Sequence, residues 1–211
     1  KRLFAKEYPI LTAEKRLRAI AKDVVQHFNN RGYKGKAMFV ALDKVTAVKM
    51  YNFIEEERKI YIEEQQKTIE KIDDPQEKIS KERALQWTRE TEVAVIVSNE
   101  QNEISKFKDW DLDIGPHRLK MNTRDLETDF KDEEHPFRFA IVCAMWITGF
   151  DVPSLSTMYV DKPLKSHTLM QTIARANRVH SGKNNGLLVD YIETYKALLQ
   201  ALAIYGDSGS K

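Results

Sequence analysis

The stretch FRFAIVCAMWITGFDVPSLSTMYVDKP, Phe137 to Pro163, decides the fold. It holds two apolar, β-prone runs, FRFAIVCA at 137–144 and STMYVD at 156–161, separated by a break rich in turn residues. Near-continuous hydrophobicity, without clean alternation, marks strands covered on both faces. Three other runs share that character: KAMFVAL (Lys36 to Leu42), TEVAVIVS (Thr91 to Ser98) and GLLVDY (Gly186 to Tyr191). Such strands belong to parallel sheets, whose neighbours need long, usually helical, connections. Helical spacing occurs from Thr12, read as an N-cap, to Asn29, in the segment behind Asp43, over Asn122 to Lys131, and over 165–178 and 193–205. The expected fold is α/β, a parallel sheet flanked by helices on both faces, in one domain over residues 1–211.

Composition narrows the function classes. Of 211 residues, 34 are Lys or Arg and 32 are Asp or Glu, so the chain is no polycation, but the signs are unevenly placed. Lys162 to Lys183 contains five basic residues and no acid, which suits an anionic partner. Glu55 to Glu90 is the reverse in kind: 19 of 36 residues are charged, 11 acidic and 8 basic, with DDP at 73–75 the one break. That pattern reads as a charged helical insertion, two solvated helices laced with ion pairs, or else as an arm that docks a partner. The single cysteine, Cys143, admits no internal disulfide and fits a reducing cytoplasm. No apolar run is long enough to span a membrane. The opening KRLFAKEYP lacks an initiator Met, as expected of a piece of a longer polypeptide.

In an open parallel sheet, ligands sit beyond the carboxyl ends of the strands, so the residues after each run carry the chemistry. After FRFAIVCA comes MWITGFDVPS. Here Gly149 permits close backbone approach, Thr148 and Ser154 offer hydroxyls, and Asp151 can accept from ribose hydroxyls or a water. The same residues would also make a sound turn for backbone reasons alone. After STMYVD, the segment KPLKSHTLMQTIARANRVH places Gln171, Arg175 and Arg178 four and three residues apart, on one helix face. Paired guanidiniums suit a phosphate, although a solvated basic face has the same pattern. His167 and His180 have no Cys, Asp or Glu at metal-ligand spacing, so no metal site is expected in this chain. DEEH at 132–135 precedes a strand rather than ending one, so it is not a magnesium-holding box; nor is there a GxxxxGK[ST] phosphate loop.

Read in order, KAMFVALDKVTAVKMY, VAVIVSNEQNEI, FRFAIVCAMWITGFDVPSLSTMYVDKP and HTLMQTIARANRV resemble the second RecA-like lobe of the restriction (R) subunit of type I restriction enzymes, which are superfamily-two DNA translocases. The likeness runs roughly from Ala19 to Tyr205 and is weakest over 55–90. It implies a helicase C-terminal lobe of a bacterial or archaeal cytoplasmic enzyme that hydrolyses ATP with Mg²⁺ to move duplex DNA. Carried over, Gly149, Asp151 and Gln171 would reach the nucleotide, and Arg175 and Arg178 its γ-phosphate, Arg178 as the arginine finger. Thr148, Asp43, Lys44, His117, Arg118, Lys162 and Lys165 would lie along the DNA backbone. The family usually has an acidic residue where this chain has Ala144. The implied partners are a first RecA-like lobe, which supplies the phosphate loop and the Mg²⁺ carboxylate, a nuclease domain, and methyltransferase and specificity subunits. A lobe without the phosphate loop should be catalytically silent alone. The alternatives are a lobe of a repair or RNA helicase, and a non-catalytic module that docks other subunits through the 55–90 arm.

Overall fold

A computed structural model of the chain describes residues 2–31, 35–147, 149–177 and 185–192. Two helices, α1 (Arg2–Leu11) and α2 (Glu14–Asn30), precede strand β1 (Lys36–Val40). Then come α3 (Lys44–Ile69), α4 (Pro75–Glu90), β2 (Glu92–Ile96), α5 (Glu103–Lys108), α6 (Gly115–Thr123) and α7 (Leu126–Lys131). Strands β3 (Phe137–Val142) and β4 (Leu155–Val160), helix α8 (Ser166–Ala176) and strand β5 (Leu187–Asp190) follow. The five runs read from the sequence are these five strands. All adjacent pairs are parallel, in the order β2-β3-β1-β4-β5.

Their continuous hydrophobicity has the expected cause. One face of the sheet (Phe39, Val95, Phe139, Tyr159) packs under α2 and α3, through residues such as Leu17, Val24, Ala47 and Met50. The other face (Met38, Val40, Ile96, Val142) packs on Leu126 and Phe130 of α7, on Ala176 of α8 and on the loop after β3. Strand β1 is buried at every position. That includes Lys36, whose Nζ donates to the carbonyls of His135 (2.9 Å) and Phe137 (2.8 Å) at the start of β3. Burial lowers this lysine to about 8, with Arg138 adding to the effect.

Local chemistry sets the helix boundaries. Asp43 caps α3 as its position implied: Oδ1 accepts from the Thr46 N–H at 2.7 Å. The DDP break separates α3 from α4, and Asp74 accepts from the Gln76 N–H at 2.8 Å. The charged segment is thus two helices, but α3 runs unbroken from Lys44, and its first half (Ala47, Met50, Ile54) is core. Two expectations need correction. Thr12 does not cap α2. It closes the preceding helix α1, its hydroxyl donating to the Tyr8 carbonyl at 2.8 Å, while Ala13 stands at the head of α2. Residues 122–131 form no single helix. Arg124 is extended, and Asp125 restarts the chain as α7 by accepting from the Thr128 N–H at 3.1 Å and hydroxyl at 2.7 Å. The expected helix at 193–205 lies outside the described residues.

Candidate functional site

Register places the rim of the sheet. Ile96, Val142, Val40, Val160 and Asp190 lie in one row across the five strands. The next residues, Val97, Cys143, Ala41, Asp161 and Tyr191, form the carboxyl edge, where carbonyls point outward. Cations cap three of these carbonyls. Arg118 donates to Val97 (3.0 Å), Lys162 to Cys143 (2.5 Å), and Arg16 to Tyr191 (3.0 Å). After β1 the chain runs to β2 and β3 on one side, and after β4 it runs to β5 on the other, so the topological switch lies between β1 and β4. The side chains there bond to one another. Tyr8 donates its hydroxyl to Asp43 Oδ2 at 2.6 Å, and Arg16 meets both carboxylate oxygens of Asp161 at 3.1 and 2.5 Å.

The loop after β3 is built to hold two left-handed residues. Trp146 (φ 66°) and Gly149 (φ 77°) both have positive φ. The indole stacks on Phe150 (centroids 4.2 Å apart, 10° between planes) and meets Phe130 at 5.6 Å. Aromatic stacking and burial of Ile147, Phe150 and Val152 offset the cost of a left-handed tryptophan. Between these buried pegs, Gly149 and Asp151 are exposed. A Cβ at Gly149 would find nothing within 4 Å, so backbone angle rather than crowding demands the glycine, and the space above it is open to a ligand. Cys143 is buried, and burial pushes its thiol above the ordinary range.

After β4 comes α8, which packs on the sheet face that carries Met38 and Met158. Leu169, Thr172 and Ala176 are buried, which fixes the helix rotation and places positions 171 and 175 together on a different face. Lys165 and His167 are exposed at the start of the helix. Thr148, Arg178 and His180 lie outside the described residues. The Gly149–Asp151 segment thus follows β3 and α8 follows β4 through the short connection Asp161–Lys165, and β3 and β4 are the two strands that flank β1.

Several residues expected along DNA have partners inside the protein. Asp43 caps α3 and accepts from Tyr8. Lys44 pairs with Glu100 at 3.3 Å. Arg118 makes a two-point bridge to Glu103 (2.6 and 2.8 Å) in addition to its bond with Val97. His117 is buried edge-on against Tyr51 at 4.5 Å, and burial depresses it to about 4, beneath the smaller effects of Lys120 and Asp113. Every nitrogen of the Arg118 guanidinium is thus bonded inside the protein, and His117 is buried. Sequence reasoning gave no role to Arg16, Tyr8, Asp161 or Trp146. Asp161 stood in the quoted DKP, but the partner of Arg16 is 145 residues away and leaves no local signal. Among the described residues, no three His, Cys, Asp or Glu side chains gather as a metal site would require.

Comparison with known proteins supplies the context. Residues 33–193 match the family described as type I restriction enzyme subunit R domain 3. The whole chain is 35% identical, over 214 aligned residues, to a Methanocaldococcus jannaschii protein provisionally named a type I restriction enzyme (MjaIXP) endonuclease subunit. It is 33% identical, over 96% of its length, to the type I restriction enzyme HindI endonuclease subunit of Haemophilus influenzae. The chain spans 17% of the length of each relative. A structure provisionally named as a fragment of the HsdR subunit of a type I restriction enzyme from Vibrio vulnificus shares the fold. It has a TM-score of 0.50 and 16% identity, over 88% of this chain and 29% of that one.

Proposed function

This chain belongs to the type I restriction enzyme R subunit family, as the domain 3 of such a subunit, and from that premise we propose that it is the second motor lobe of an ATP-driven DNA translocase. The observation that carries the reading is an exposed, left-handed Gly149 in the loop after β3, in a chain whose helix after β4 carries Gln171. The adjoining run from Lys162 to Lys183 is basic and free of acid. Two RecA-like lobes would sandwich ATP, the partner lobe holding the triphosphate and Mg²⁺. Gly149 and Asp151 would face the nucleotide from this side, with Gln171 beside them. Arg175 and Arg178 would meet the γ-phosphate on closure, Arg178 last. Mg²⁺, held by the partner lobe, would supply charge neutralisation, and this chain's guanidiniums would add to it as negative charge shifts in the transition state.

An arginine finger contributes on the order of 10³–10⁵ in rate, about 4–7 kcal/mol of barrier. That contribution exists only against a nucleotide seated on the other lobe. On the DNA side, Thr148, Lys162 and the exposed Lys165 remain the contacts we propose, with Lys44 at the margin. The internal bonds of Asp43 and Arg118 and the burial of His117 suit them to shape the edge.

Comparing the nucleic-acid stimulation of ATP hydrolysis in the full-length subunit tests this reading. Duplex DNA should stimulate turnover and RNA should not; RNA stimulation would overturn it in favour of an RNA helicase lobe. The 211-residue chain alone should hydrolyse no ATP and should bind duplex DNA weakly, with affinity falling steeply as salt rises. A second reading, compatible with the first, concerns the α3–α4 hairpin, where Ile60 and Ile79 are exposed apolar side chains among charges. It would dock the methyltransferase or specificity subunit. Deleting residues 60–84 from the full-length subunit should then abolish assembly while leaving the sheet intact.

A further inference from the structure

Arg16, in the first turn of α2, joins more elements than any other described cation at the carboxyl edge. One terminal nitrogen donates to the Leu11 carbonyl at the end of α1 (2.8 Å) and to Asp161 Oδ2 (3.1 Å). The other donates to Asp161 Oδ1 (2.5 Å) and to the Tyr191 carbonyl just past β5 (3.0 Å). Asp161 is 1% exposed and directly follows β4. The next residue, Lys162, reaches back to the Cys143 carbonyl, where the Trp146–Gly149–Asp151 loop begins. Four residues later α8 starts. The Arg16–Asp161 contact therefore sits at the root of both ligand-facing segments. The helices α1 and α2 are tied there too, and at a second point Tyr8 bonds to Asp43 behind β1.

Net stability is a poor explanation for such a pair. A buried bridge loses in desolvation much of what it gains in attraction, so an apolar pair of similar volume would serve the fold about as well. What it does provide is geometry. A planar fork on a carboxylate fixes distance and direction together, and two further carbonyls remove the remaining freedom. We propose that Arg16 and Asp161 are positioning residues for the nucleotide site. They set the spacing between the loop after β3 and α8, and they couple that spacing to the α1–α2 hairpin, so that displacement of the hairpin is felt at the γ-phosphate. The proposal rests on the motor-lobe reading.

Its test uses the full-length subunit with duplex DNA and measures kcat and KM for ATP in Arg16→Gln, Arg16→Lys and Asp161→Asn, with melting curves alongside. The partner lobe holds most of the ground-state nucleotide, so misplaced arginines should lower kcat and spare KM. The expected result is a tenfold or larger fall in kcat for Arg16→Gln and Asp161→Asn, with KM within threefold. Arg16→Lys keeps the charge without the fork and should fall between these and the parent. Variants that are folded at the assay temperature and turn over within twofold of the parent overturn the proposal, as does a loss carried by KM. Where Arg16→Gln fails to fold, Tyr8→Phe decides, since it frees only the second anchor of the hairpin. A severalfold drop in kcat supports the coupling, and an unchanged kcat overturns it. Arg178→Ala, run in parallel, separates the two ideas. If it also retains parental turnover, the motor-lobe reading fails; if it alone is silent, only the positioning role fails.

Discussion

Arg16 and Arg18 stand two residues apart on α2 and do opposite things with the same charge. Arg16 turns onto the carboxyl edge of the sheet, where its partner Asp161 is sealed from water and burial pushes that carboxyl above its ordinary range against the pull of Arg16. Arg18 points to the charged flank, bridges Glu14 (2.8 Å) and Glu56 (2.6 Å) in the open, and lies over the Phe53 ring at 4.2 Å. The flank has the higher density of charged side chains, yet in water bridges such as those of Arg18 are screened and replaceable. The edge has fewer, and each ties separate elements together. Counting charges therefore points to the α3–α4 hairpin, while burial of the partner points to the sheet edge.

This contrast can be broken by mutation. Asp161→Ala should have the largest effect on stability of the 211-residue chain, about 3–5 kcal/mol, because it strands a partly buried guanidinium. A melting temperature close to that of the parent would show that the bridge is dispensable. His117 should come next, through pH. The folded ring resists protonation down to about 4, while the unfolded chain takes up a proton near the ordinary 6.5. Its contribution is therefore intact above pH 6.5 and is lost as pH falls from there toward 4, roughly 3 kcal/mol in all. Melting curves from pH 4 to 7.5 should show this slope in the parent and a shallower one in His117→Phe, which keeps an aromatic edge against Tyr51. Equal slopes would place His117 in solvent, back among the DNA-facing candidates. Gly149→Ala should cost about 1–2 kcal/mol, the expense of a left-handed side-chain-bearing residue, since its Cβ has free space. A turnover loss in the full-length subunit far beyond that cost would mark the open space as ligand-facing. Smallest of all, Arg18→Ala should leave the melting temperature of the chain unchanged within error, and a clear drop would erase the distinction between edge and flank.

Much of the fold was legible because it depends on local patterns. Strands covered on both faces write themselves as unbroken apolar runs, and Asp43 and Asp74 announce their helices by side-chain chemistry acting over two or three residues. The split at Asp125 follows the same rule, since an Asp three residues before Thr128 can cap, but the surrounding helical spacing masked it. Helix α1 was missed because ten residues containing Pro9 have little helical tendency of their own, and it is tied down at Tyr8 by an aspartate 35 residues away. The site divides in the same manner. Gly149 and the Gln171–Arg175 spacing could be read from neighbours in sequence. Whether Arg118 faces solvent or Glu103, and that Arg16 finds Asp161, depends on distant parts of the chain meeting in space.

The central claim is that Arg175 and Arg178 act on a nucleotide held by the rest of the subunit. The most direct measurement is the rate of duplex-DNA-stimulated ATP hydrolysis by the full-length subunit carrying Arg178→Ala, beside Arg175→Ala. A fall of about a thousandfold for Arg178→Ala, with ATP still bound, is the expected result. Hydrolysis within threefold of the parent would contradict it.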